Sequence, residues 1–258
     1  MLSTPIQKLW KKIMTSHFKV IVPVRNAEEY IARCLYSVWS QTHTNWSMII
    51  IDDNSSDGTI SEINRFLEKF ENAKGRITVI ENDNQYHALA NILTGISMAS
   101  DSDIIVHIDG DDWLCDMDAF TLISEQYNHP HHEVGAVWTN QRWGFTISGN
   151  SGPLPENANP YTFEWVSSHL KTFKKSLIND INMENFFDAS GEYFTRIADQ
   201  AIYLPVLEAC KRQGMTWTYL PICAYHYNVN HNEIDFESDD AKLQHDEAAF
   251  LRKRGFLE

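Results

Sequence analysis

The sequence predicts an α/β fold in which helices flank a mostly parallel central sheet. Three observations support this prediction. Apolar segments of strand length alternate with amphipathic helical segments through the first half of the chain, the strand segments are apolar at nearly every position, and polar turns follow them. Strands of this kind are buried on both faces, which is typical of a parallel sheet covered by helices. With 258 residues, the chain is long enough for one large domain of this class.

The first half of the chain contains four predicted strands and three predicted helices. The first strand is FKVIVPV, which Pro23 ends, and Asn26 is predicted to cap a helix that runs to about Val38. The second strand is WSMIIID, followed by the polar turn DNSSDGT and an amphipathic helix from Ile60 to Phe70. RITVIEN is the third strand, the segment from Tyr86 to Met98 is predicted to be helical, and DIIVHID is the fourth strand.

The second half is less regular and is predicted to form a smaller mixed region. EVGAVWTNQRWGFTISG is predicted to form strands around a turn, HLKTF a strand, and WTYLPICAYHYN further strands. QAIYLPVLEACKRQG is predicted to be an amphipathic helix that ends at Gly214, and a last helix is expected in the acidic segment after Phe236. Because no long linker interrupts the chain, we expect one domain over residues 18–258.

Residues 1–17 precede the first strand and are predicted to form an N-terminal helix. Its apolar residues fall on one side, opposite lysines: Ile6, Leu9, Trp10 and Ile13. Such a helix either packs on the domain, which we favour, or makes a weak contact with an anionic membrane surface. No apolar run approaches the ~20 residues of a membrane span, and the N-terminus lacks a secretion signal. We therefore expect a cytoplasmic protein, either free or peripheral to a membrane.

Charge, cysteine content and the first strand end argue against several classes. The chain has 21 Lys and Arg against 35 Asp and Glu, and this net charge of -14 argues against a nucleic-acid partner. The four cysteines form no CxxC pair, so neither a disulfide framework nor a zinc site is predicted. PVRN stands where a dinucleotide-binding fold has G-x-G-x-x-G, and the sequence contains no P-loop.

Polar clusters follow the first, second and fourth predicted strands, in PVRN, DDNSSDG and DGDD. Their candidate binding residues are Pro23, Arg25, Asp52, Asp53, Asp109, Asp111 and Asp112. Ligands of parallel sheets bind at the carboxyl ends of the strands. We therefore expect the three clusters to form one crevice, which is a stronger indication of a binding site than any single motif.

Asp109 and Asp111 form a D-x-D pair around Gly110, where the backbone can bend so that both carboxylates point to one side. Two hard oxygen ligands on a short turn suit Mg²⁺ or Mn²⁺, which take further ligands from substrate phosphates. The alternative is an acidic helix start that Asp112 or Asp116 caps. The position of the D-x-D pair, opposite the acids that end and follow the second strand, favours the metal interpretation.

The two neighbouring acids after the second strand leave room for two roles. Asp53 can accept hydrogen bonds from a base or a ribose. Alternatively, Asp52 or Asp57 organises the turn through local side-chain bonds.

The segments VIVPVRNAEEYIARCLYSVWSQT, IIIDDNSSDGT and IIVHIDGDDWL resemble, in order and spacing, the nucleotide-sugar-binding half of the inverting family 2 glycosyltransferases. The second half is similar to a branch of that family, with SHLKTF, DQAIYLPVLE and YHYN matching its S-H-L-[RK]-T-F, D-x-A-x-x-x-P-x-L-E and Y-x-Y-N segments. The resemblance implies the Rossmann-like GT-A fold, with a nucleotide-sugar-binding half at 18–128 and an acceptor-binding, catalytic half at 129–258. It also implies Mn²⁺ or Mg²⁺ as cofactor, a nucleotide-sugar donor, with UDP favoured, and a glycan or other hydroxyl acceptor.

The resemblance further implies roles for single residues. Asp199 matches the acid that opens a helix and serves as the catalytic base, whereas the alternative is a helix cap only. His226 is a candidate metal ligand, against the alternative of an ordinary packed strand histidine. The family's usual Gly and Arg between the third and fourth strands are absent, so Asn84 or Asn91 is expected to replace the Arg contact to the nucleotide. His169 and Lys171 in SHLKTF either face the substrates or simply pack.

The expected activity is therefore a metal-dependent, inverting, hexosyltransferase-type reaction. Two alternatives remain open. A nucleotidyltransferase would usually carry a Gly-rich loop with Lys or Arg after the first strand, and VPVRNAEE has neither a glycine nor a lysine there. A non-catalytic sugar-binding relative would keep the fold without the chemistry.

Overall fold

The structure, a computed structural model, describes residues 16–144, 149–229 and 238–258. The predicted N-terminal helix, with its apolar residues from Ile6 to Ile13, lies almost wholly outside the described residues, as does part of the GFTISG segment. Within the described ranges, no helix has both the length and the apolar character needed to cross a membrane.

One mixed sheet of eight strands lies at the centre of the described chain. The strands are β1 (Phe18–Val24), β2 (Trp46–Asp52), β3 (Ile77–Glu81), β4 (Ile104–His107), β5 (Trp113–Leu114), β6 (Val134–Trp143), β7 (Lys171–Lys174) and β8 (Thr216–Tyr227). Their order is β3-β2-β1-β4-β7-β6-β8-β5. The block β3-β2-β1-β4 is parallel, β7 is antiparallel to both β4 and β6, β6 and β8 are parallel, and β5 is antiparallel to β8.

Helices cover both faces of this sheet. They are α1 (Ile31–Trp39), α2 (Thr59–Lys69), α3 (His87–Ser97), α4 (Ala119–Tyr127), α5 (Ala198–Arg212) and α6 (Asp239–Arg254). Short 3-10 helices lie at Glu71–Ala73, Lys175–Asp180 and Met183–Phe186. Alternate residues of β1 point to opposite sides: Val20 and Val22 pack in the core with α1, α2 and α4, whereas Ile21 packs in the core with α3 and α5. The prediction of a parallel sheet buried on both faces is therefore confirmed.

FKVIVPV forms β1 with the predicted boundaries, but the predictions for Pro23 and Asn26 are wrong. Pro23 lies inside β1 and pairs in register with Ile51. It is tolerated there because pairing with β4 stops at Ile21, so its missing N–H interrupts no ladder on that side. Asn26 does not cap a helix: it has a φ of 51° and its side chain accepts a hydrogen bond from Ser56 N–H at 2.8 Å, while α1 begins at Ile31.

The end of α5 confirms the role predicted for Gly214. This residue has a φ of 69°, and its N–H bonds to the carbonyl of Lys211 while the next N–H, of Met215, bonds to that of Cys210. A left-handed glycine with this pair of bonds satisfies carbonyls that the last helical turn leaves open. The chain is thereby turned back into β8, which is one long strand with register shifts instead of several strands.

Two features of this topology bring distant residues to one edge. The carboxyl ends of β1, β2 and β4 lie side by side because these strands are parallel. Because β7 runs antiparallel to β4, its first residue, Lys171, lies opposite the last residue of β4, His107. This edge of the sheet therefore carries the turns that follow β1, β2 and β4 and the first residue of β7.

Candidate active site

A cavity of about 300 Å³ opens at the carboxyl ends of the parallel strands. The predicted site residues that line it are Pro23, Arg25, Asp53, Asn91, Asp109, Asp111 and Asp112. The three clusters that the sequence predicted to converge therefore do so. Asp52, Asn84 and His226 are not among the lining residues.

A second cavity of about 520 Å³ adjoins the first. Asp199 lines it, and Ala88, Asp109 and Tyr227 line both cavities. The aromatic rings of Trp143 and Trp165 also face this second space. One carboxylate, that of Asp109, is thus in the wall between the two cavities, and Asp199 opens into the larger of them.

Asp109 is held by a histidine that sequence reasoning missed. The Nε2 atom of His107 lies 2.9 Å from Asp109 Oδ1. Burial alone would raise the pKa of the Asp109 carboxyl, but His107 and, more weakly, Lys171 outweigh it and hold that pKa well below its ordinary value. The period-2 alternation of a strand end could have found His107, since residues two apart project to the same side.

Gly110 lets the turn approach β1 closely. A Cβ atom there would lie 2.5 Å from Val24 Cγ2 and 3.2 Å from the carbonyl oxygen of Pro23. The Gly110 N–H donates to that same carbonyl at 3.1 Å. A side chain at this position would therefore push the acidic turn away from β1.

Asp112 is buried and caps no helix. Its carboxylate accepts hydrogen bonds from the Tyr225 hydroxyl and from Asn228 N–H, both at 2.7 Å. Burial, reinforced by the charges of Asp109 and Asp111, raises the pKa of Asp112 well above its ordinary value. The alternative in which Asp112 or Asp116 caps the next helix is not observed, because Asp118 occupies the cap position of α4. Asp112 instead joins the acidic turn to the end of β8.

The two acids after β2 have separate structural partners. Asp52 accepts hydrogen bonds from the N–H and hydroxyl of Ser55, so it organises the turn. Asp53 accepts hydrogen bonds from Tyr86 N–H at 2.7 Å and His87 N–H at 2.9 Å, at the start of α3. Burial alone would raise the pKa of Asp53, but these N–H donors and the neighbouring amides lower it. Asp53 therefore lines the cavity while it anchors the helix beside it.

Of the two asparagines expected to replace the family's Arg contact, Asn91 lines the first cavity and Asn84 is exposed and lines neither. Asn91 is buried, and its Oδ1 accepts a hydrogen bond from Asn82 at 2.8 Å. Asn91 is therefore the better placed of the two.

His226 points away from the acidic turn. Its ring stacks on Trp113 with centroids 4.0 Å apart, and its Nδ1 accepts a hydrogen bond from Arg142 Nε at 2.9 Å. Arg33 covers the other side of the Trp113 ring at 3.8 Å. Burial and the two arginines lower the pKa of His226 to about 4. The structure thus does not bring His226 together with Asp109 and Asp111.

Asp199 is the second residue of α5, so it lies in the first turn without being the cap, which is Ile197. Its Oδ1 accepts a hydrogen bond from Gln200 N–H at 2.7 Å, and its Oδ2 lies 3.7 Å from the ammonium nitrogen of Lys171. The segment before α5 is held from α6, where the Glu247 carboxylate accepts hydrogen bonds from the N–H groups of Thr195 and Arg196. Asp199 is therefore a partly exposed carboxylate on a fixed helix start.

The carboxylates of the first cavity fit a divalent cation. Mg²⁺ and Mn²⁺ bind to one or two protein carboxylates and complete their shells with waters and substrate phosphates. Asp109 and Asp111 both line the cavity, whereas Asp112 has its oxygens engaged by Tyr225 and Asn228. Over the described part of the chain, no group of three or more His, Cys, Asp or Glu side chains could hold an ion by itself. Asp109 and Asp111 therefore suit an ion that takes its remaining ligands from a bound diphosphate.

Comparisons with known proteins agree with this architecture. Residues 19–193 match the model of the family described as glycosyl transferase family 2. The glycosyltransferase GlyG of Streptococcus pneumoniae is 24% identical over 189 residues, which cover 67% of this chain and 61% of GlyG. The chain spans 13% to 61% of the lengths of the first curated relatives that it matches.

Two solved structures share the fold. S. aureus TarS in complex with UDP-GlcNAc has a TM-score of 0.62 at 16% identity, over 94% of this chain and 68% of that one. The mannosyltransferase PcManGT from Pyrobaculum calidifontis, in complex with GDP-Man and Mn²⁺, has a TM-score of 0.59 at 18% identity, over 89% of this chain and 66% of that one. The expectation of an α/β fold of the GT-A type is confirmed.

Proposed function

The chain belongs to glycosyl transferase family 2, and from that membership we propose that it moves a sugar from a nucleotide-sugar to a hydroxyl of a glycan or other acceptor. The reaction is a metal-dependent, inverting transfer of the hexosyltransferase type. One observation carries this proposal: Asp109 forms part of the wall between two adjoining cavities, and a second carboxylate, Asp199, faces the larger cavity.

The first cavity is the proposed donor site. Asp109 and Asp111 would hold Mn²⁺ or Mg²⁺, which supplies Lewis-acid neutralisation of the charge on the leaving diphosphate. Pro23, Arg25 and Asp53 line the remainder of the site and are proposed to contact the nucleotide. TarS binds UDP-GlcNAc and PcManGT binds GDP-Man in the same fold, so a nucleotide-sugar donor is supported. The resemblance in sequence favours UDP.

The second cavity is the proposed acceptor site. The acceptor hydroxyl attacks the anomeric carbon from the side opposite the diphosphate, and its proton passes to the Asp199 carboxylate. The bond between that carbon and the diphosphate breaks as the new bond forms, and the electron pair leaves with the diphosphate. Attack from the far side with a single base inverts the anomeric configuration, and such a base typically contributes about 10²–10⁴-fold to the rate.

Replacement of the proposed base tests the chemistry directly. Asp199→Asn keeps the shape of the side chain but removes its capacity to accept a proton, so we expect turnover to fall by about 10²–10⁴-fold. Donor binding, measured by calorimetry with UDP-sugars and Mn²⁺, should remain within a few fold because Asp199 does not line the donor cavity. The matched control is Asp239→Asn, which changes an exposed acid in the first turn of α6. Unchanged turnover in Asp199→Asn would remove this residue from the mechanism.

A donor panel tests the reaction class and the nucleotide. UDP-, GDP- and dTDP-sugars are incubated with the protein and Mn²⁺, and slow donor hydrolysis is followed. Release of the nucleoside diphosphate supports glycosyl transfer. Pyrophosphate exchange would instead indicate a nucleotidyltransferase, and neither product would indicate a sugar-binding relative without activity.

A further inference from the structure

Lys171 is a buried lysine at the first position of β7, with only 3% of its surface exposed. In the sheet it lies opposite His107 of β4 and Trp138 of β6. Removal of an ammonium group from water is strongly unfavourable unless charged or hydrogen-bonding partners compensate for it. The partners of Lys171 therefore indicate its role.

Among the residues that the structure describes, two groups contact the ammonium nitrogen of Lys171. Nδ1 of His169 lies at 3.2 Å, and Oδ2 of Asp199 lies at 3.7 Å. Burial, together with the charge of Lys171, lowers the pKa of His169 well below its ordinary value, so the imidazole is neutral and its Nδ1 can accept a hydrogen bond. The negative charge in contact with this ammonium group is therefore that of Asp199.

Other ion pairs at the end of β7 and just after it are of a different kind. Lys174 pairs with Glu133 and Lys175 with Asp101, and both acids have more than half of their side-chain surface exposed. Exposed pairs of this kind contribute little because water screens them. In contrast, the ammonium group of Lys171 is shielded from water, so its interaction with Asp199 is stronger for the same charges.

The distance from Lys171 to Asp199 also suits a working base. At 3.7 Å the two groups attract each other without a short hydrogen bond that would occupy Oδ2, and Oδ1 takes its hydrogen bond from the backbone of Gln200. The carboxylate can thus keep a defined orientation while it remains open to the acceptor cavity.

We propose that Lys171 is a positioning residue that orients the Asp199 carboxylate toward the acceptor cavity for proton acceptance. The inference rests on the proposed function. Burial lowers the pKa of Lys171, and the charge of Asp199 opposes this effect. No proton of Lys171 moves in the proposed step, since the proton of the acceptor hydroxyl moves to Asp199. The other titratable or charged groups around the pair, from each element that faces it, are His107, Asp109, Asp112, His169, Tyr227 and Arg252.

Removal of the charge gives the first test. Lys171→Met keeps the length and apolar stem of the side chain but leaves the carboxylate without its cation. We expect kcat to fall by about tenfold or more, because the carboxylate loses the charged group that orients it. The affinity for UDP-sugar should change by less than threefold. Lys171→Arg, which keeps the charge, should restore much of the lost kcat, and Lys174→Met is the surface control.

A double variant keeps the proposal testable even if Lys171→Met does not fold. In Asp199→Asn, a neutral amide replaces the carboxylate, so addition of Lys171→Met should cause no further loss of turnover. The second substitution should also remove the ammonium group of Lys171, which is buried and unpaired in Asp199→Asn. A further loss of tenfold or more would show that Lys171 acts on the reaction independently and would overturn the proposal. So would a folded Lys171→Met variant with the kcat of the wild type.

The two proposals fail in different ways. If Asp199→Asn keeps full turnover, the proposed base is wrong. If Asp199→Asn is inactive but Lys171→Met is unaffected, the base is correct and the positioning role is wrong.

Discussion

Asp109, Asp111 and Asp112 belong to one turn but have different surroundings. His107 contacts Asp109, which lies in the wall between the two cavities, whereas the Tyr225 hydroxyl and a backbone N–H hold the buried Asp112. Burial and the like charges of Asp109 and Asp111 raise the pKa of Asp112. His107 instead lowers the pKa of Asp109. Local partners thus leave Asp109 in the cavity wall as a proposed ligand and tie Asp112 into the structure.

His226 shows how a single side chain can make stability depend on pH. Its pKa is about 4 in the folded protein, below the ordinary value of about 6.5. The unfolded chain therefore binds the proton first as the pH falls, and the folded state loses stability between about pH 6.5 and pH 4.

Replacement of His226 should reduce this dependence. In His226→Gln, the group that titrates is absent, so the free energy of unfolding should fall less between pH 6.5 and pH 4 than in the wild type. Urea unfolding at several pH values measures the difference. His131→Gln, at an exposed position, is the control. Parallel pH curves for His226→Gln and the wild type would contradict the prediction.

At the scale of elements, close approach of α3 to β1 places Ala88 and Asn91 in the cavity wall. Gly95 permits this approach, because a Cβ atom there would lie 2.6 Å from Cγ2 of the buried Ile21. The N-terminus of the same helix is held by Asp53. One end of α3 is therefore anchored by a carboxylate of the site and the other by packing on the sheet.

Gly95→Ala should weaken the fold although alanine favours helices. Overpacking against Ile21 costs about 1–3 kcal/mol, which exceeds the gain in helix propensity of about 1 kcal/mol over most of that range. We expect a lower midpoint in urea unfolding. Gly75→Ala is the matched control, because a Cβ atom there meets nothing within 4 Å. Equal stability of the two variants would show that α3 moves to make room.

At the scale of the whole molecule, the parallel block β3-β2-β1-β4 places its carboxyl ends at the proposed donor cavity, whereas Asp199 of α5 lines the proposed acceptor cavity. The family match extends over residues 19–193, which include β2, β3, β4, β7 and all of β1 except Phe18. Asp199 and α5 lie beyond the matched residues, although they face the same cavity as Asp109. The proposed transfer therefore requires residues from both halves of the chain at one cavity.

Ligand binding should stabilise the whole molecule in a metal-dependent manner. With donor nucleotide and Mn²⁺ at about 100 times the dissociation constant, the stabilisation is about 2.7 kcal/mol, and this corresponds to a rise in Tm of roughly 5–10 °C. In Asp109→Asn combined with Asp111→Asn, the part of the rise that requires Mn²⁺ should disappear. Thermal unfolding with and without Mn²⁺ measures it. A rise of equal size in the double variant would rule out these carboxylates as the metal ligands.

The sequence by itself determined the parallel block and the convergence of its polar ends. WSMIIID forms β2 with the predicted boundaries, and Asp53 and Asp109 line one cavity as expected. These features were accessible because they depend on short-range patterns: a strand buried on both faces is apolar throughout, and its carboxyl end lies on the binding edge whatever follows.

Tertiary structure alone decided which later residues join the site. The sequence left open whether Lys171 packs or faces a substrate, and whether His226 binds metal. The antiparallel alignment of β7 with β4 places Lys171 near Asp199, and the pairing of β8 with β5 turns His226 onto Trp113. Strand register between distant segments selects the face on which each side chain lies, and a shift of one residue would reverse it. No local pattern in the sequence specifies that register.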